Sequence, residues 1–391
     1  MSASPERVLM VSKDRTLLAN PTGFGDTLKR HILYAELLRA RRPESDIRIL
    51  TYSPYTFSQQ RFNPVPGLRI YGTGSRHRAL YSADALALLG AITVDGWRPT
   101  VVTAQEPWEA GLVGFLAARR WGARFIPQVH FDLFAQDWLR ESWTNRPKFW
   151  IACYLLRQAD QVRAVSTVQQ RKLVESLKLP PEAVHVVPVG VNFEPTTESQ
   201  LDCRRRLLLA QTLGPVVLFV GRLCAQKNLP LWVTVAEQIL AELPTAQFLI
   251  AGDGPLRGDI EAQVQSKGLQ SAVVFLGSVA YSALPEVFGA ADVLLLTSHY
   301  EGFGRVVVEA QMARLPVVAT ACTGPEDIIV DGQTGYLCEP GDQSGLAAAV
   351  LTLLKDEAKR SSLAAAGQRR VATLFDKKRL AEQLVEAWIT P

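Results

Sequence analysis

Ser298-His299-Tyr300-Glu301-Gly302-Phe303-Gly304-Arg305-Val306-Val307-Val308-Glu309-Ala310 follows the apolar run Val293–Thr297, and the fold is read outward from it. A short apolar strand, a glycine-containing loop and then helical periodicity is the unit from which parallel α/β sheets are built. The turn also carries chemistry. Free amides of Phe303, Gly304 and Arg305 at the helix start can hold phosphate oxygens. That leaves Glu301, beside Gly302, to face a neutral hydroxylated group, and Glu309 to accept paired hydrogen bonds from vicinal hydroxyls such as those of a ribose. A capped helix with one buried ion pair would account for Glu309 but not for the Gly302-Phe303-Gly304 run beside Glu301.

The same pattern recurs upstream and downstream. Val216–Val220, Gln247–Ala251, Val273–Leu276 and Val317–Ala319 read as further strands, with helices over Leu229–Glu242 and Pro285–Ala290. After the first of these comes Gly221-Arg222-Leu223-Cys224-Ala225-Gln226-Lys227-Asn228. Two cations five residues apart at a strand-to-helix turn either stay solvated or converge on one anion, and a diphosphate fits the second arrangement. In Ala251-Gly252-Asp253-Gly254-Pro255 the glycines permit a tight turn, and Asp253 either caps the next helix or touches a ligand.

The N-terminal half reads as a second α/β series. Val8–Val11 is a buried strand, followed by a loop with Asn20-Pro21-Thr22-Gly23-Phe24-Gly25 and a helix over Thr27–Arg41 whose cations are Lys29, Arg30, Arg39 and Arg41. Ile47–Leu50, Val101–Thr103, Phe125–Val129 and Val162–Val165 alternate with helices such as Glu109–Arg120 and Thr167–Leu177. The pattern breaks at Pro188–Pro195. The expected organisation is a Rossmann-like domain over 1–192, a second Rossmann-like domain over 193–374, and a C-terminal helix in 375–391 packing back toward the first. Two doubly wound sheets facing one another place a site at the carboxyl ends of their strands.

Composition bounds the rest. The chain has 391 residues, 48% hydrophobic, 20% charged and 8% aromatic, which suits two globular domains and excludes a disordered or fibrous chain. The longest apolar runs, Phe149–Leu156 and Leu86–Val94, fall short of the ~20 residues that cross a bilayer. Glu6 and Arg7 before the short run Val8–Val11 do not make a secretory signal, so a cytoplasmic protein is expected. Cys153, Cys203, Cys224, Cys322 and Cys338 form no C-x-x-C pair and read as reduced thiols. Residues 1–190 hold 25 Lys and Arg against 16 Asp and Glu, whereas residues 191–391 hold 17 against 22. A basic half attracts phosphate-bearing partners: anionic lipid, a phosphorylated substrate or nucleic acid.

Arg222 with Lys227, Gly252-Asp253-Gly254-Pro255, Glu301 with Glu309, and the Gly324-Pro325-Glu326 and Gly332–Gly335 turns together resemble the GT-B retaining glycosyltransferases of family 4. The likeness spans the second domain in order, and more loosely Ala159-Asp160, Ser166 and Val187-Pro188. It implies transfer of a sugar from a UDP- or GDP-sugar to a hydroxyl of a glycan or lipid-linked acceptor, with retention of configuration. It implies that Arg222 and Lys227 bind the diphosphate, Glu301 the transferred sugar and Glu309 the ribose. Gly302, Phe303, Gly304, Arg305 and Asp253 line the donor, and the base is held by backbone near Val279 and Ala280. Thr22, Gly23 and Gly25 close over the phosphates, and His130 lies near the sugar. The sequence departs from the family at Val189-Gly190-Val191-Asn192, at Gly23-Phe24-Gly25 and at Arg305, which either reaches the donor or is solvated.

Leaving-group departure places negative charge on the diphosphate, so fixed cations and helix amides lower the barrier. Glu301 is read as positioning the sugar, not as a covalent nucleophile, since Glu309 on the ribose leaves no second carboxylate for a hydrolase scheme. No Asp-x-Asp occurs, and His31, His77, His130, His185 and His299 make no metal-ligand spacing, so no metal cofactor is expected. His130 ends the strand Phe125–Val129 and either meets the sugar or is satisfied by backbone. Phe131, Phe134, Trp138, Trp143, Phe149 and Trp150 either line an acceptor groove or pack internally. The basic helix over Thr27–Arg41, with Arg69, Arg76, His77 and Arg78 in a loop, suggests peripheral contact with an anionic membrane. Nucleic-acid binding would need a zinc-finger spacing or an aromatic stacking platform, and neither is present. A dinucleotide oxidoreductase has only Gly23-Phe24-Gly25 in its favour, and a sugar-nucleotide epimerase of the same fold accounts less well for the Arg222, Lys227, Glu301 and Glu309 set.

Overall fold

Near-continuous runs of valine, isoleucine and leucine bounded by turn residues form strands covered on both faces. In the first unit these are β1 (Arg7–Ser12), β2 (Asp46–Thr51), β3 (Arg61–Val65), β4 (Leu68–Gly72), β5 (Val101–Ala104), β6 (Arg124–Val129), β7 (Val162–Ala164) and β8 (Val184–Val186). They make one sheet in the order β3-β4-β2-β1-β5-β6-β7-β8, parallel except that β3 runs antiparallel to β4 at the edge. The computed structural model describes residues 4–18, 26–54, 61–207 and 214–390. The chain divides into one unit of Met1–Gly190 with Lys377–Pro391 and another of Val191–Asp376.

Alternation along β1 sends side chains to two cores. Val8 and Met10 meet Tyr34 and Leu38 of the helix Asp26–Arg41 and Leu384, Val385 and Trp388 of the helix Lys377–Ile389. Leu9 and Val11 meet Tyr81, Leu89, Val113 and Phe125 on the opposite face. The C-terminal helix is fixed to this unit: Trp388 is fully buried, its ring lies edge-on to Tyr34 at 5.9 Å, and Arg42 donates to the Ile389 carbonyl at 2.8 Å. The helix Asp26–Arg41 therefore spends its apolar face on the core and leaves Lys29, Arg39 and Arg41 to solvent, so it has no free apolar face for a membrane. Arg69 does not lie in a loop either. It sits in β4, where Leu68, Ile70 and Tyr71 are buried around it.

The second unit holds β9 (Val216–Val220), β10 (Gln247–Ala251), β11 (Val273–Gly277), β12 (Val293–Leu296), β13 (Val317–Thr320) and β14 (Tyr336–Cys338). All pair in parallel, in the order β11-β10-β9-β12-β13-β14. The chain works outward from β9 one way and then from β12 the other, so the carboxyl ends of β9 and β12 flank the switch point where doubly wound sheets bind ligands. Both units are Rossmann-like α/β domains. Trp232, on the helix Leu229–Glu242, fills the core between Phe219 and Phe248 and donates its indole N–H to the Leu295 carbonyl.

Candidate functional site

The turns after β9 and β12 are tied to each other. Beyond β9 the chain makes a single 3-10 turn, Ala225–Lys227, and Asn228 takes a left-handed conformation at φ 46°. Thr297 holds that turn by donating to the carbonyls of Lys227 and Asn228 at 3.1 and 3.0 Å. Gln226 and the loop after β12 are joined twice, through its side chain to the Tyr300 carbonyl and through its carbonyl to the His299 N–H. The result brings Lys227 and Glu301 together: Nζ lies 2.5 Å from Oε1, and Ser298 Oγ donates to the same oxygen at 2.7 Å. The two charged side chains are 13% and 7% exposed. Arg222, one residue past Gly221, is exposed and its side chain makes no hydrogen bond or ion pair among the described residues, so its guanidinium is available to an anion.

Backbone packing explains the glycines here. A Cβ at Gly252, whose φ is 146°, would lie 1.9 Å from the Gly221 carbonyl oxygen, and one at Gly254 would lie 2.3 Å from that of Leu223. Gly304 opens the helix Arg305–Met312 at φ 84°, leaving the first helical N–H groups without a side-chain cap. A Cβ at Gly324 would lie 2.6 Å from the Phe303 carbonyl oxygen. Phe303 itself is buried and stacks edge-on against Phe375 at 5.3 Å.

Glu309 is buried one and a half turns into that helix, where Arg305 and the Tyr281 hydroxyl both lie 3.2 Å from its Oε1. The Arg305 side chain is 35% exposed. It pairs with Glu309 and lies over the Tyr281 ring. Asp253 is exposed, accepts from the Gly254 N–H at 2.7 Å and stands 3.8 Å from Arg257. It does not cap the following helix Arg257–Ser266, whose N-cap position is Leu256. Val279 is half-buried in the loop after β11. Burial, and secondarily the charge of Glu301, pushes the Cys322 thiol up to about 12, so it stays protonated.

Ser298 and Tyr281 are additions to the residues picked out from sequence. Ser298 lies three positions before Glu301, a spacing that suits a local hydrogen bond. The Tyr281 contact joins positions 28 apart, and nothing local signals it.

In the first unit Thr22, Gly23 and Gly25 lie outside the described residues. His130 follows β6, half-buried, with Nε2 3.0 Å from Gln128 Oε1. That oxygen also accepts from buried Arg163 at 2.6 Å, and the Gln128 amide donates to Thr103, so His130 Nε2 carries the hydrogen. Burial, then the charges of Arg163 and Arg30, lowers the His130 pKa well below the usual value, so the ring is neutral. Its partner is a side chain and not backbone. Phe131 and Trp138 pack on Trp108, and Phe134 on Phe149, whereas Trp143 and Trp150 are exposed. Among the described residues no cluster of three or more His, Cys, Asp or Glu is arranged to hold a metal, and no helix is long and apolar enough to cross a membrane.

Residues 205–370 match the family model of glycosyl transferases group 1, and residues 33–190 match the glycosyl transferase 4-like domain. The chain is 30% identical to a D-inositol 3-phosphate glycosyltransferase of Geodermatophilus obscurus, over 99% of this chain and 90% of that protein. It is 28% identical to the alpha-D-kanosaminyltransferase of Streptomyces kanamyceticus, over 65% of this chain and 67% of that protein. Its fold matches the sucrose-phosphate synthase of Thermosynechococcus elongatus with a TM-score of 0.80 at 23% identity, covering 98% of each chain. It also matches Anabaena HepE, solved with UDP and glucose, with a TM-score of 0.77 at 22% identity over 98% of this chain and 99% of that one.

Proposed function

Since this chain belongs to the glycosyl transferases group 1, the GT-B glycosyltransferases of family 4, we propose that it is a retaining, metal-independent hexosyltransferase that moves a sugar from a UDP- or GDP-sugar to a hydroxyl of a glycan or lipid-linked acceptor. The observation that carries the reading is the buried Lys227 and Glu301 pair at the switch point between β9 and β12, with exposed Arg222 in the turn that leads to Lys227. UDP in the matched HepE structures favours a uridine donor as the first to test.

The chemistry follows from charge. Arg222 and Lys227 hold the diphosphate, and the amides that open the helix Arg305–Met312 add the positive end of its dipole. As the sugar carbon parts from the phosphate oxygen, negative charge grows on the diphosphate, and these fixed groups stabilise it. On donor binding Lys227 turns from Glu301 to phosphate, and the freed carboxylate accepts from sugar hydroxyls while Ser298 keeps it oriented. Glu309, held by Tyr281 and Arg305, accepts from the ribose. The departing phosphate takes the acceptor hydroxyl's proton on the face it leaves, and the acceptor oxygen bonds to the sugar carbon on that face, which retains configuration.

Thermal melting with saturating UDP, GDP, ADP or NAD, with and without EDTA, tests the donor assignment. Ligand at ~100 times its Kd stabilises by about 2.7 kcal/mol, a shift of a few degrees. One nucleoside diphosphate is expected to raise Tm equally with and without chelator, and Arg222→Ala, at an exposed position, to lose most of that shift without a lower ligand-free Tm. Stabilisation by NAD alone, or stabilisation abolished by EDTA, would overturn the reading.

A further inference from the structure

The unit of Met1–Gly190 with Lys377–Pro391 carries an apolar face that its core does not use. The helix Asn145–Arg157 buries Ala152, Cys153, Leu155 and Leu156, yet Trp150, Ile151 and Tyr154 are 69%, 41% and 58% exposed. Trp143, in the turn just ahead, is 84% exposed. The helix Glu109–Trp121 adds Leu112 and Leu116, 37% and 41% exposed, and the two helices meet where the Phe115 and Tyr154 rings stand 6.3 Å apart. Spacings of three and four residues put these side chains on one outward stripe of each helix, where a globular protein ordinarily shows charge. A contiguous exposed face of this kind marks an interaction surface.

Its rim is mostly basic, with Asp137 and Glu141 exposed ahead of Trp143 and Glu109, paired with Lys13, at the start of the other helix. Arg119, Arg120, Arg146 and Arg157 are exposed around the stripe, and the helix Asn145–Arg157 contains no acidic residue. A two-fold pairing with a second copy would set arginines against arginines. We propose that this face docks the protein on an anionic lipid surface, with the tryptophan and tyrosine rings at headgroup depth and the arginines on the phosphates. Aromatic rings with a polar edge and arginines with apolar stems are the side chains such an interface takes. The proposal does not depend on which donor the second unit binds.

Vesicle flotation of the full chain tests it, with phosphatidylglycerol mixed into phosphatidylcholine, or phosphatidylcholine alone, at about 0.1 M salt. The protein is expected to float with the anionic vesicles and not with the neutral ones. The pair Trp150→Ser with Ile151→Ser, and separately Arg120→Glu with Arg146→Glu, should each lower the bound fraction at least tenfold. All four positions are exposed, so the ligand-free Tm and its shift with nucleoside diphosphate should stay unchanged in the variants, which separates this test from that of the donor site. No flotation of the unaltered chain, or equal flotation of the variants, overturns the proposal. So does a dimer in light scattering that the Trp150 and Ile151 changes convert to monomer, since the face would then belong to a second copy.

Discussion

Removing Lys227 strands a buried carboxylate, and the size of that effect can be worked from the geometry. The Lys227 and Glu301 side chains are 13% and 7% exposed with Nζ 2.5 Å from Oε1. At an effective dielectric near 20, charges at that distance attract by about 7 kcal/mol, most of it offset by the desolvation of both ions. Lys227→Ala keeps the desolvation of Glu301 and loses the attraction, leaving Ser298 as its hydrogen-bond partner. The expected loss is about 3 kcal/mol, toward the lower end for breaking a buried pair. For a unit of this size that is a drop of roughly 6–12 °C in calorimetric Tm. Lys227→Met combined with Glu301→Gln removes both charges and should recover about 2 kcal/mol relative to the sum of the single changes. Strict additivity in that cycle, or a Lys227→Ala melting point within about a degree of the parent, would refute the claim that the pair is a desolvated unit waiting for phosphate.

Gly252→Ala should destabilise the second unit by more than about 2 kcal/mol in urea unfolding, because its methyl would lie 1.9 Å from a backbone oxygen that β10 and β9 hold in place. Trp388→Ala should lower stability by about 4 kcal/mol and release the C-terminal helix to proteolysis, since the ring is fully buried against Tyr34. Burial raises Glu106 to about 8, one of its oxygens accepting from the Ala110 N–H and the other buried without a partner among the described residues. A carboxyl whose pKa is higher folded than unfolded holds its proton in the native state. Its contribution is present below the unfolded value near 4.5 and is lost as pH rises through about 8. Glu106→Gln should flatten the decline of Tm over that window.

Much of the fold is legible because each buried strand is a short apolar run that ends in a turn. Val216–Val220 and Gln247–Ala251 are strands at the bounds read from sequence. The elements missed have a physical reason. Edge strand β3 contains Asn63 and Pro64, which a solvent-facing edge tolerates and a central strand does not. In β4 a half-buried Arg69 interrupts Leu68 and Ile70, and β8 and β14 are three residues each, too short to show a period. The turns that carry Arg222, Lys227 and Glu301 are legible in the sequence because a strand-turn-helix unit fixes where they emerge. The grip of Tyr281 and Arg305 on Glu309 and that of Thr297 on the Lys227 turn arise only when separate βα units are packed side by side.

The central claim is that the second unit holds the nucleoside diphosphate at the switch point between β9 and β12. A crystal structure with the nucleoside diphosphate that raises Tm most tests it directly. The account predicts phosphate oxygens within hydrogen-bond distance of both Arg222 and Lys227, Lys227 withdrawn from Glu301, and ribose hydroxyls on Glu309. Phosphates bound elsewhere, with the Lys227 and Glu301 pair still closed at 2.5 Å, would contradict it.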